Sequence, residues 1–165
     1  MNAENNWWGD LDPSDSTRGD IDFTPFATSP FSEYDNSSCN GFNAEYFNNQ
    51  TLSGIPTITT QVNKISGVWS KGSPHPQIPN DHFSARYTGN IEIPLGRKGK
   101  THKFTLKADD GVRFWIDGSF IVDDWTNHPM RTYERILNLE PGSHLLKIEY
   151  YENTGGAVLT LNQDY

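Results

Sequence analysis

A chain of 165 residues with 34% hydrophobic and 13% aromatic content is long enough for one well-packed domain with an appendage, and its aromatic richness favours β structure over helices. The formal net charge of -8 argues against nucleic acid or anionic membrane as a partner, because both demand clustered Lys and Arg. Cys39 is the only cysteine and no apolar run approaches transmembrane length. An intrachain disulfide, a Cys-based zinc cluster and a spanning helix are therefore not expected.

From Met1 to about Cys39 the chain is rich in Asp, Ser, Asn, Thr and Pro, with scattered aromatics and no sustained period. Residues 1–40 are thus expected to be irregular, a linker or the tail of a preceding domain. The pattern changes from Gly41, and residues 41–165 form the expected domain. Ala44 to Phe47, Ser84 to Tyr87, Ile91 to Ile93, His102 to Lys107 and Val112 to Ile116 read as short strands. Phe120 to Val122, Tyr133 to Leu139, His144 to Tyr151 and Ala157 to Leu161 continue the series. Turn residues separate them about every ten positions, the spacing of an all-β antiparallel sandwich or barrel. The segment from Ile55 to Asp81 carries Pro56, Pro74, Pro76 and Pro79 and is expected to wrap the sheet edges without regular structure. Ile116-Asp117-Gly118-Ser119 and Glu140-Pro141-Gly142-Ser143 carry the composition of hairpin loops. No helix longer than a turn or two is expected.

Lys107 to Gly118 sets two adjacent carboxylates, Asp109 and Asp110, between two alternating segments. A half-buried hairpin with the Asp pair at its exposed tip is the expectation from this pattern. Asp and Gly are also ordinary turn residues, so the pair alone favours a simple turn over a metal site. Trp115 and Trp125 are expected to pack rather than to present sugar-stacking faces. Asp117, Asp123 and Asp124 are expected to cap turns or face solvent rather than hold a second ion. The five histidines are dispersed without metal-ligand spacing, which disfavours zinc and makes them expected surface residues. Glu45, Glu134, Glu149 and Glu152 invite a glycosidase, which needs two carboxyls across a cleft; nothing in their spacing supplies such a pair, and no enzyme is expected.

Gly41-Phe42-Asn43-Ala44-Glu45-Tyr46-Phe47, Phe83-Ser84-Ala85-Arg86-Tyr87-Thr88-Gly89 and the Asp-Asp-Gly stretch, followed by Ile121 to Trp125 and Leu145 to Ala157, together resemble the protective-antigen fourteen-kilodalton (PA-14) domain family. The resemblance runs in order from Gly41 to about Leu161. It implies a β-sandwich or barrel module, secreted or at the cell surface, attached to adhesins, glycosidases or toxins. Arg86 is implied to pair with an acidic partner. Lectin members bind sugars through calcium, with an Asp-Asp pair joined by a cis peptide bond and a second loop completing the shell. Asp109 and Asp110 match that pair, and Glu152 to Ala157 match the second loop. The implied metal ligands are Asp109, Asp110, Asn153 and the carbonyls of Gly155 and Ala157. Carbohydrate contacts are implied for Asp109, Asp110, Asn153, Thr154, Gly155 and Gly156. Such a set gives about five oxygens of the roughly six to eight that calcium takes, leaving places for vicinal hydroxyls of a glycan or polysaccharide.

Two functions are thereby expected: a calcium-dependent lectin or adhesin module of a larger bacterial protein, and alternatively a structural or protein-interaction module of the same fold. Asn5-Asn6-Trp7-Trp8-Gly9-Asp10 and Asp22-Phe23-Thr24-Pro25-Phe26 also resemble chain-end segments that close some right-handed parallel β-helix domains, which implies a β-helix ahead of the module.

Overall fold

Alternation of apolar and polar residues builds both layers of the domain. A computed structural model describes residues 41–164, so the expectations for residues 1–40 lie outside the described residues. Strands β1 (Phe42–Phe47), β2 (Ile58–Val62), β3 (Ser66–Ser70), β4 (Phe83–Ile93) and β5 (Thr101–Asp109) are followed by β6 (Val112–Ile116), β7 (Ser119–Asp124), β8 (Arg131–Asn138), β9 (Gly142–Glu152) and β10 (Ala157–Asp164). They form a six-stranded sheet ordered β2-β1-β4-β9-β6-β7 and a four-stranded sheet ordered β3-β10-β5-β8. Every pairing is antiparallel. A short 3-10 turn at Leu95–Arg97 is the one helical element among the described residues.

Alternate residues of each inner strand enter the core, as a period of two requires. Strand β5 buries His102, Phe104, Leu106 and Ala108, and β9 buries Leu146, Ile148 and Tyr150 against them. Phe104 and Phe114 meet across the sheets with ring centroids 5.8 Å apart. The outer face of the larger sheet is stitched by charge. Glu45, Arg86 and Glu149 stand opposite one another on β1, β4 and β9, and the Arg86 guanidinium lies 3.2 Å from Glu45 and 3.3 Å from Glu149. Arg113 faces Glu149 across β6 and β9 and bonds Asp123 on β7 at 3.1 Å. Opposite charges directly across an antiparallel pair stabilise the ladder. Arg86 thus has the acidic partners expected of it.

Several expectations are corrected. The segments 84–87 and 91–93 belong to one strand, β4. Edge strands β2 and β3 lie within the Pro-rich segment expected to lack regular structure. Edge strands bury little: ITTQV and SGVWS offer the core mainly Ile58, Val62 and Trp69, too few large apolar residues to declare a period of two in the sequence. Of the two expected hairpin loops, Asp117-Gly118 does join paired strands β6 and β7, with positive φ at both residues as a type I′ turn requires. Glu140-Pro141 instead leads from β8 in one sheet to β9 in the other. The Asp-Asp-Gly stretch is likewise no hairpin. It carries the chain from β5 to β6 and thus from the smaller sheet to the larger, and Asp110 is buried rather than exposed at a tip. His102 and His128 are also buried, against the expectation of surface histidines.

Asp117 caps its turn, accepting from the Leu145 N–H at 2.9 Å, and His144 Nδ1 lies 2.6 Å from its other oxygen. His144 Nε2 reaches the Glu140 carbonyl at 2.7 Å. Both ring nitrogens therefore face acceptors, which favours imidazolium; the bond to Glu140, then that to Asp117, raises the His144 pKa above its ordinary 6.5. The hydrogen bond from His144 chiefly lowers the Asp117 pKa below 3.8. A raised histidine contributes stability that is fully present below pH 6.5 and lost as pH rises through the folded value. The depressed aspartate contributes stability present above 3.8 and lost as pH falls. His144→Ala should therefore flatten the decline of thermal stability above pH 6.5; a variant curve parallel to that of the parent protein across that range would contradict the linkage.

Candidate functional site

Three chain segments that change sheets converge at one end of the sandwich: Asp109 to Gly111, residues 125–130 between β7 and β8, and residues 153–156 between β9 and β10. Asp110 ties them together. Its Oδ1 accepts the His128 N–H at 2.9 Å and its Oδ2 accepts the Asn153 N–H at 2.8 Å. The Asp109–Asp110 peptide bond is cis, as the family resemblance implies. The Tyr150 hydroxyl donates to the Asp109 carbonyl and stands 2.9 Å from Glu152 Oε2.

Ligand atoms of Asp109, Asp110 and Glu152 all lie within 4.8 Å of one another. Burial, followed by the neighbouring Asp110 charge, raises the Asp109 pKa, although the Met130 backbone N–H acts in the opposite sense. Glu152 is pushed up to about 7, first by burial and then by the charges of Asp110, Asp109 and Asp81, with the Tyr150 hydroxyl opposing. Three crowded carboxyls, among which Asp109 and Glu152 have raised proton affinity, describe a site that a cation would neutralise. The donor set is all oxygen, which fits a hard cation such as calcium.

In the second loop, Asn153 and Gly156 are brought beside the Asp pair. Asn153 adjoins the Asp pair through its N–H, while its side-chain oxygen accepts from Gln50 Nε2 at 3.1 Å. Thr154 and Gly155 are exposed, and Ala157 is buried at the start of β10. Gly155 has φ 110, a backbone conformation that favours glycine, and its N–H bonds Asp81 at 3.0 Å. A Cβ on Gly156 would stand 3.7 Å from Asp109 Oδ2. Residues 125–130 also reach the Asp pair, through the His128 N–H. Trp125 packs edge-on against Tyr151 at 4.7 Å and lies under Arg113 at 4.6 Å, while Trp115 is covered by Phe120 and Lys147. Both tryptophans are packed, as expected. Asp123 and Asp124 are engaged by Arg113 and by Arg131 with Tyr133.

In the sequence Glu152 opens the second loop and is weighed as a glycosidase carboxyl, with no ligand role of its own; Asp81, Gln50 and Tyr150 carry no expectation as site residues. The signal for Glu152 is periodic. Leu146, Ile148 and Tyr150 face the core, and one further step of two puts Glu152 on the same face. The other carboxylates considered for hydrolysis are held elsewhere: Glu45 and Glu149 by Arg86, and Glu134 by Lys103.

The described residues form an all-β sandwich with a cluster of three carboxyls where inter-sheet connections meet. The chain belongs to the PA14 domain family, whose model matches residues 38–163. It is 32% identical over 123 residues to the anti-sigma-I factor RsgI3 of Acetivibrio thermocellus, spanning 74% of this chain and 18% of that protein. An anti-sigma factor domain-containing protein from Clostridium clariflavum superposes with a TM-score of 0.67 at 32% identity, over 75% of this chain and 41% of that one. A PA14 sugar-binding domain from an RTX adhesin shares the fold at 18% identity and a TM-score of 0.59, over 77% and 90% of the two chains. The chain thus spans less than half the length of either anti-sigma relative.

Gly111 is required by close approach. A Cβ there would fall 2.0 Å from Tyr151 Cε1, and the Tyr151 N–H donates to the Gly111 carbonyl at 2.9 Å. Gly111→Ala should displace the Tyr151 ring, which also holds Asn127 through its hydroxyl, at a cost of roughly 1–3 kcal/mol of the kind seen for overpacking. Denaturant unfolding measures this, and an unchanged midpoint would contradict the role assigned to Gly111.

Proposed function

We propose that residues 41–164 form a non-catalytic, calcium-dependent carbohydrate-binding module of a larger bacterial protein that acts outside the cell. The observation carrying this reading is the cis-linked Asp109–Asp110 pair, set within 4.8 Å of a third carboxylate and flanked by the 125–130 and 153–156 segments. Asp109 and Asp110 would hold calcium, the Asn153 side chain would add an amide oxygen, and the carbonyls of Gly155 and Ala157 would complete the protein's share of the shell. Thr154 and Gly156 would line the sugar. A bound calcium would supply coordination places for neutral vicinal hydroxyls, while the protein walls select ring geometry. Affinity for one sugar should be weak, roughly millimolar to tens of micromolar, because few ligand atoms are engaged. Repeated display would raise it.

The anti-sigma relatives, at about twice the identity of the adhesin domain, favour a parent that is a regulator over a parent that is an adhesin. In such a parent this module would be the part that meets the glycan, and the remainder would carry the regulatory contact. A second reading has its own support. Both Asp110 oxygens already accept backbone N–H groups, as they would in a module where the acidic pair only fixes loops and the partner is a protein.

Probing a glycan array with a multivalent form of the chain, in calcium and again in excess chelator, separates these functions. Signal lost on chelation supports the lectin and identifies the sugar. Binding indifferent to chelator rejects the calcium mechanism, and silence in both buffers from folded protein favours the protein-interaction module. Asp110→Ala should abolish calcium and sugar binding together. Because it also orphans two backbone donors, at about 1–3 kcal/mol each, Asp109→Asn serves as the gentler companion and should show the same joint loss with the β fold intact by circular dichroism.

A further inference from the structure

Among the described residues Glu152 is a fully buried carboxylate with an unpartnered oxygen, and the calcium ligands drawn from the family resemblance leave it without a task. It ends the inward row of β9, is fully buried, and follows Tyr150 into the interior. Its Oε1 has no hydrogen-bond partner among the described residues. Its Oε2 faces the Tyr150 hydroxyl at 2.9 Å, but that hydroxyl also contacts the Asp109 carbonyl. One phenolic hydrogen cannot serve two acceptors at once. A carbonyl can only accept, so when Tyr150 satisfies it, both Glu152 oxygens lack a donor from the protein. A buried carboxylate in that position needs a proton or a cation. The nearest charged ligand atoms, those of Asp109 and Asp110 within 4.8 Å, are themselves negative and make the need greater.

Resting on the calcium-binding function proposed above, we propose that Glu152 is a third carboxylate ligand of the cation, supplied from the core face of β9 to meet the Asp109–Asp110 pair. The ion then rests on three carboxylates and keeps a net charge of -1 with a divalent cation, or zero with a trivalent one. An acidic floor of this kind selects hard, highly charged cations. Tyr150 has a positioning role: its hydroxyl donates to the Asp109 carbonyl while lying beside Glu152 Oε2, so it sets the arch carrying the Asp pair against the strand carrying the third ligand. Asn153, next in the chain, is brought to Asp110 by its own N–H, so the end of β9 contributes to the site from both the interior and the loop.

The test is calcium titration of the full chain by calorimetry, paralleled by terbium luminescence excited through the protein's aromatic residues, neither of which needs a sugar. Glu152→Gln keeps the shape and removes the charge. It should weaken calcium binding at least about 10-fold, the lower end of losses seen when groups supporting a metal are changed, and weaken terbium binding more. Asp123→Asn, on the outer face, should bind both ions like the parent protein. If Glu152→Gln does not fold, Glu152→Asp, which keeps the charge but withdraws the oxygens by one methylene, should still show the loss. Calcium affinity unchanged in a folded Glu152 variant, with the parent protein binding normally, would make Glu152 a protonated structural group and overturn the assignment. A folded parent protein that binds neither ion would instead overturn the calcium function itself, and the assignment with it.

Discussion

The buried carboxylate of Asp110 holds together the end of the sandwich where inter-sheet connections meet, because its two oxygens accept backbone N–H groups from two separate connections, at His128 and at Asn153. A loop whose amide is bound by a buried charge is fixed more firmly than one packed by side chains alone. The third connection is the arch that carries Asp110 itself. It stays close to the sheet because Gly111 lies against the Tyr151 ring without a Cβ to hold it away. Position and chemistry are therefore set by one residue: the group that orders the loops is also one of the charges that crowd the site.

That crowding is the second constraint. Ligand atoms of Asp109, Asp110 and Glu152 lie within 4.8 Å of one another, with Asp110 and Glu152 buried, and burial together with mutual repulsion raises the proton affinity of Asp109 and Glu152. Elsewhere the protein distributes its charge with care, alternating Glu45, Arg86, Glu149, Arg113 and Asp123 in register across the outer face of the larger sheet. The end of the sandwich departs from that balance. Local conflict of this type is expected where function outweighs stability, and a cation would relieve it.

Much of the fold was legible because core strands must alternate. His102 to Lys107, Val112 to Ile116 and His144 to Tyr151 each declared themselves by a period of two. What alternation cannot reveal is which strands pair. The same pattern that marked β5 and β6 as neighbours in sequence suggested a hairpin, whereas their hydrogen bonds go to different sheets. Strands β2 and β3 escaped notice because edge strands rely on backbone pairing more than on buried side chains. The Asp pair and the second loop were legible through the order of their motifs. Glu152 was in plain view at the end of a periodic strand, but a carboxylate on a core face looks like an ordinary loop residue until its neighbours are known.

The most direct measurement is a crystal structure of the chain grown with calcium, followed by back-soaking in chelator. The account predicts one ion within about 2.3–2.6 Å of carboxylate oxygens from Asp109, Asp110 and Glu152, with at least one coordination place facing solvent between residues 125–130 and 153–156, and its loss in chelator. A well-ordered site with no ion, or an ion whose shell is closed entirely by protein, would contradict a sugar-binding centre at this end of the sandwich.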